Sequence, residues 1–210
     1  DIVAARARLT AGTGIGSGVN HIETTVATLS AVSGSGGVFL LESDGLTVGD
    51  VGVTVSKVGA LGTAAAVSGQ STDLTGASVT DAARSDIVTV DSGKIVLRTS
   101  TGDLVLSDGS ATASGQSLNA NGGGSILVQA LAGAVRVEAD IRSGSGHVAI
   151  RAGTSLSVGT ASLSGVDVAT SGTGDVLLQA AGGGLTMDGS ASVVAGRNAQ
   201  LQADAAISLG

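Results

Sequence analysis

Two short apolar alternations, separated by a nearly fixed distance, recur along this chain and limit the folds open to it more than any other feature. In "GDVLLQAAGGGLTM" (174–187) the pairs are Val176/Leu178 and Leu185/Met187. The pattern returns in "GGVFLLESDGLTV" (36–48), "GKIVLRTSTGDLVL" (93–106), "GSILVQALAGAVRV" (124–137), "GHVAIRAGTSLSV" (146–158) and "RNAQLQADAAISL" (197–209). The first pair starts eight residues before the second in Val38 to Leu46, Val148 to Leu156 and Ala199 to Ile207. It starts nine before in Ile95 to Leu104, Ile126 to Val135 and Val176 to Leu185. Alternation with period two marks strands buried on one face, and the intervening Gly, Ser, Thr, Asp and Ala mark turns.

A third, weaker alternation often follows, as in Ala139/Ile141, Val166/Val168 and Ala191/Val193. Three short strands per unit, with units starting 22 to 31 residues apart from Ile95 through Ile126, Val148 and Val176 to Ala199, predict an all-β, right-handed parallel β-helix of three sheets. Each coil cannot bury its apolar face alone, so coils stack and their Val, Leu and Ile side chains form columns. Coils of roughly 24 residues give about 8 or 9 coils and a rod of roughly 40 Å. A sandwich of hairpins is the rival, but it predicts two-residue turns between matched strands rather than the fixed spacing seen here.

Composition agrees. The apolar residues are almost wholly Val, Leu, Ile and Ala, with one Phe (Phe39), one Met (Met187) and neither Trp nor Tyr. Such a core is thin and regular, because no large side chain is available to fill an uneven interior. Thirty-five glycines supply turns, and the lack of proline leaves every backbone N–H available to a ladder. A net charge of −7, with Lys and Arg scattered, gives no electrostatic reason to bind nucleic acid. The absence of cysteine excludes disulfide and thiolate chemistry, and the apolar runs are far short of a membrane span, so no membrane insertion is expected.

The segment reads as one β-solenoid over 1–210, excised from a longer polypeptide, with 11–35 and 56–86 less regular and expected to carry protruding loops. Joining its ends gives Gly210-Asp1-Ile2, similar to Gly174-Asp175-Val176. That similarity suggests a unit of a tandem array.

The coils "GSILVQA" (124–130) and "GDVLLQA" (174–180), with "DIVAARARLTAGTGIGS" (1–17) and "NHIETTVATLSAVSGSGGVFLLESDGLTVG" (20–49), resemble the filamentous-haemagglutinin-like giant repetitive proteins of bacterial surfaces. The resemblance implies an extracellular β-helical stalk, fibre or biofilm-matrix filament, secreted to the surface of a Gram-negative bacterium and used in adhesion. Its implied partners are neighbouring copies end to end, lateral fibre contacts and a host or neighbouring cell surface.

Candidate sites are few. Asp44, Asp50, Asp103, Asp108, Asp175 and Asp188 mostly lie beside glycine at predicted turns, where Asp bonds the local backbone. Calcium is the one cofactor these aspartates leave open, although the calcium-binding nonapeptide G-G-x-G-x-D is not reproduced. His21 and His147 lack metal-ligand spacing, and no G-x-S-x-G is joined to a convincing acid and histidine. The corner after the first strand is read as holding Arg98, Gln129, Arg151, Gln179 and Gln202, a structural ladder of stacked polar side chains. These features point to a non-enzymatic structural and adhesive solenoid. The alternative is a β-helix that binds or cleaves a glycan through the irregular stretches, but it lacks clustered carboxylates and aromatic sugar platforms.

Overall fold

The computed structural model, which describes residues 1–65, 67–110, 114–159 and 165–210, is a parallel β-helix whose sheet winds nearly closed around one axis. The first face stacks Gly37–Glu42, Ile95–Thr99, Ile126–Ala130, Val148–Ala152, Val176–Ala180 and Ala199–Ala203, all parallel. The second stacks Leu46–Val48, Leu104–Leu106, Val135–Val137, Leu156–Val158, Leu185–Met187 and Ile207–Leu209. The third stacks Ile87–Thr89, Gln116–Ala120, Asp140–Ser143, Asp167–Ala169 and Ser192–Val194.

The sequence repeat is also the hydrogen-bond register. Val38, Ile95, Ile126, Val148, Val176 and Ala199 are direct partners in succession. So are Leu46, Leu104, Val135, Leu156, Leu185 and Ile207. Along the first face, Ile2, Thr24 and the six strands named above make eight rungs. Their seven rises of about 4.8 Å span roughly 34 Å.

Two long strands, Ile2–Thr10 and Ile22–Ser33, run through all three faces without a glycine break. The stretch 11–35 is mostly a regular coil, from which one loop departs. Its buried side chains include Ile15, Thr24, Val26, Leu29, Ser30, Ala31 and Ser33. The inward stride lengthens by one residue between Val26 and Leu29, which hides the alternation. Only 16–21 departs from the coil, as a tight loop closed by Ser17 and Asn20 with Val19 at its tip.

The second irregular stretch is a true insertion. Between the second and third faces of one coil, Val51–Lys57 pairs antiparallel with Ala77–Arg84. A short helix, Thr72–Thr75, lies between them, and the Ser71 hydroxyl accepts from the Asp73 N–H at its start. Arg8 of the first coil pairs with Asp81 at 2.5 Å and ties the insertion to the rod.

The tandem-junction expectation does not match the register. Ile2 pairs with Thr24, Thr24 with Glu42 and Glu42 with Thr99. Ile2 thus stands in the column of Ala180, at the opposite end of the strand from Val176.

Inside, Leu40, Leu97, Val128, Ile150 and Leu178 form one fully buried column. Leu104, Val135, Leu156 and Leu185 form a second, and Ile87, Leu118, Ile141 and Val168 a third. Each fully buried Leu, Ile or Val contributes about 1.5–3 kcal/mol relative to its exposed state, and each column is only one side chain wide per coil.

The corner leading into the first face explains part of the glycine content. A Cβ on Gly34, Gly93, Gly124, Gly146 or Gly174 would lie 2.1–2.4 Å from the carbonyl oxygen of Gly12, Gly34, Gly93, Gly124 or Gly146 respectively. Glycine stacks on glycine because the coil below leaves no room for a methyl group. The hydroxyl groups of Thr89, Ser143 and Thr170 donate to the carbonyls of Gly93, Gly124 and Gly146 at 2.5–2.7 Å and satisfy this corner from inside.

Candidate functional site

Outward side chains on a parallel solenoid repeat with the coil, so identical positions form stripes along the axis. On the first face, Arg98, Gln129, Arg151, Gln179 and Gln202 are successive register partners. They occupy the strands themselves rather than the corner, which begins after one further residue, Thr99 on the first of these coils and alanine on the rest. The corner assignment is thereby corrected; side chains project from the flat face and reach the next rung. Arg98 Nε donates to Gln129 Oε1 at 2.9 Å, Arg151 Nε to Gln179 Oε1 at 2.8 Å, and Gln179 Nε2 to Gln202 Oε1 at 3.3 Å.

Next to this stripe, two residues earlier on each strand, lies an apolar one. Val96, Leu127, Ala149 and Leu177 are register partners and all are half-buried on the outer surface. A shallow groove runs beside the polar stripe and is lined by Gln129, Leu131, Arg151, Gly153, Gln179 and Ala181.

A second polar network lies on the third face. Arg142 holds Asp140 through Nε at 3.0 Å and Nη2 at 2.6 Å, and reaches Asp167 at 3.2 Å. The hydrogen bond to Asp140 is the main reason the Arg142 pKa is raised further. Asp140 also accepts the Asp167 N–H at 2.8 Å, and Ser192 donates to Asp167 at 2.5 Å. The signal for this network was present in the sequence, since Asp140, Arg142 and Asp167 alternate with inward Ile141 and Val168.

Of the predicted turn aspartates, Asp108 and Asp188 bond their own turns, while Asp50, Asp103 and Asp175 bond groups on a neighbouring coil. Asp103 accepts the Ala134 N–H at 2.9 Å, Asp50 the Ser110 N–H at 2.7 Å, Asp108 the Ser114 N–H at 3.2 Å and Asp188 the Ser190 N–H at 3.2 Å. The Asp44 backbone N–H donates to Glu42 at 3.5 Å. Asp175 binds Arg197 through both carboxylate oxygens and accepts from the Asn198 backbone and side-chain N–H groups at 3.1 and 3.0 Å. The Arg197 hydrogen bonds hold its carboxyl well below the usual carboxylate range. His147 is adjacent, with Nδ1 accepting the Asp175 N–H at 3.1 Å, while His21 lies against Phe39 with ring centroids 6.0 Å apart. Among the described residues no group of three or more His, Asp or Glu is arranged to hold a metal ion. No helix among them is long and apolar enough to cross a membrane.

Two buried acidic residues, Asp86 and Glu42, do not stand out in the sequence. Glu42 is fully buried at the end of its first-face strand. It accepts from the Thr24 hydroxyl at 2.6 Å, the Val26 N–H at 3.1 Å and the Ser43 N–H at 3.0 Å. Val38, Leu40 and Glu42 share one parity, so strict alternation places Glu42 inward.

The chain matches no protein-family model, no curated protein and no solved structure. Functional argument therefore rests on the faces described above.

Proposed function

We propose that this chain is a non-enzymatic, extracellular structural and adhesive β-solenoid of the filamentous-haemagglutinin-like kind. It forms part of a stalk, fibre or biofilm-matrix filament at a bacterial surface. The observation that carries the reading is the unbroken register of the first face, from Val38 to Ala199, over one aliphatic column. Load along the axis is shared by many parallel backbone hydrogen bonds, and every coil depends only on its neighbours.

Immunogold labelling of intact source cells with antibody against residues 1–210 tests the reading. Surface-exposed, elongated labelling is expected. Labelling that requires permeabilised cells refutes the extracellular assignment, and release of reducing sugar from glycans by the purified chain refutes the non-enzymatic one.

A further inference from the structure

The first face holds an imbalance that the rod function does not use. The chain has 17 acidic and 10 basic residues, so carboxylates are plentiful, and Arg8, Arg136, Arg142 and Arg197 each pair with one. Among the described residues, Arg98 and Arg151 form no salt bridge, as is also true of Arg6, Lys57, Arg84 and Lys94; Arg98 and Arg151 are set apart by sharing one stripe. They sit two coils apart in a single stripe, about 9.6 Å at the usual strand spacing. Each commits only its Nε to the glutamine of the next coil. The two guanidinium groups are thus held in the same lean, with their Nη amines available for bidentate bonding to an anion.

We propose that this face binds an extended acidic polysaccharide, a polyuronate lying along the rod axis. Arg98 and Arg151 each take one carboxylate. Gln129, Gln179 and Gln202 exchange hydrogen bonds with sugar hydroxyls, and Leu127, Ala149 and Leu177 receive the apolar faces of the rings. A ribbon-like polyuronate turns over at each sugar, so carboxylates on one edge recur at every second residue. That repeat is comparable to the two-coil separation of the arginines. A polymer fits better than a single sugar, because one exposed guanidinium–carboxylate pair contributes only about 0–1 kcal/mol and several linked contacts act together. The net charge of −7 opposes any polyanion at long range, so the attraction is local to the two arginines of this stripe. Nucleic acid fits less well still, because the stripe has no aromatic side chain on which bases stack. The proposal draws on the extracellular reading only for access to such a polymer.

Affinity electrophoresis and calorimetry of the 1–210 chain with poly-mannuronate, dextran and single-stranded DNA test it. Saturable binding of poly-mannuronate that weakens with salt is expected, with dextran and DNA bound far less. Replacing Arg98 and Arg151 together by Gln leaves an all-amide ladder and an intact fold by circular dichroism, and is expected to weaken binding at least tenfold. Arg136→Gln, on the second face, is expected to leave binding unchanged. Absence of poly-mannuronate binding, equal binding by the double variant, or tighter binding of dextran or DNA overturns the proposal. Surface labelling of cells is independent of all these results, so failure of this site and failure of the rod function are separable.

Discussion

Alanine at Gly124 tests whether the glycine corner sets the coil spacing. Gly124 does not adopt a left-handed backbone, so the substitution is opposed by space alone. The new Cβ would lie 2.1 Å from the Gly93 carbonyl oxygen, against the 3.0 Å below which real Cβ atoms are essentially never found. The corner must open by about 1 Å in a stack whose rise is about 4.8 Å. The bonds flanking it are Ile95 N–H to the Ser125 carbonyl at 3.0 Å and Asn121 N–H to the Thr89 carbonyl at 3.3 Å. Losing two backbone bonds at about 1–3 kcal/mol each, when their groups are left buried, gives a cost of roughly 3 kcal/mol. For a chain of this size that lowers the melting temperature by roughly 6–12 °C. Gly12→Ala is the matched control, because a Cβ there meets nothing within 4 Å. Thermal melts followed by circular dichroism, with hydrogen exchange on peptides 93–99 and 118–130, provide the measurement. If Gly124→Ala melts with Gly12→Ala, or if exchange rises equally along the whole rod, the close-approach reasoning is wrong.

Ile150→Ala removes the middle of the first-face column and is expected to cost about 2–5 kcal/mol. Leu201→Ala, at a half-buried position of the same column, is expected to cost less, and equal losses on denaturant titration count against nearest-neighbour packing. Glu42→Ala leaves the buried Thr24 hydroxyl and Val26 N–H without their acceptor and is expected to cost about 2–4 kcal/mol. Glu42→Gln, which keeps an acceptor oxygen, is expected to retain most of that stability; melts in which the two variants agree refute the hydrogen-bonding role. The lowered Asp175 pKa makes its contribution to stability present above the ordinary carboxylate range, and that contribution is lost only as pH falls through the lower folded value. Carboxyl-carbon NMR is expected to show Asp175 still ionised where ordinary aspartates have titrated, and Arg197→Ala to return it to their range. Titration of Asp175 alongside the other aspartates in the unaltered protein defeats this account.

Most of the fold was legible because the parallel stack converts sequence periodicity directly into register. Val38 through Ala199 could be aligned by eye, and those residues are hydrogen-bonded neighbours. Ile22–Ser33 resisted the same treatment, since its inward Thr24 and Ser33 are polar and its stride changes at one bend. The hairpin of 51–84 was legible only as irregularity, because its strands expose much of their surface and carry little alternation. The polar stripe was found as a set but assigned to the corner, since sequence alone does not say where each first-face strand ends. The Asp140–Arg142–Asp167 network and Glu42 were both available from parity. Neither stands out in the sequence, because charged residues beside turns are usually solvated.

The glycine corner has one further consequence, for how such a protein changes length. Since each corner accepts the coil beneath it by the same backbone-to-backbone contact, gaining or losing one coil between two such glycines preserves the corner itself. Rod length can therefore change in steps of about 4.8 Å, by duplication or deletion of a module, with the side-chain pairs between coils, such as Arg142 with Asp167, left to be rebuilt.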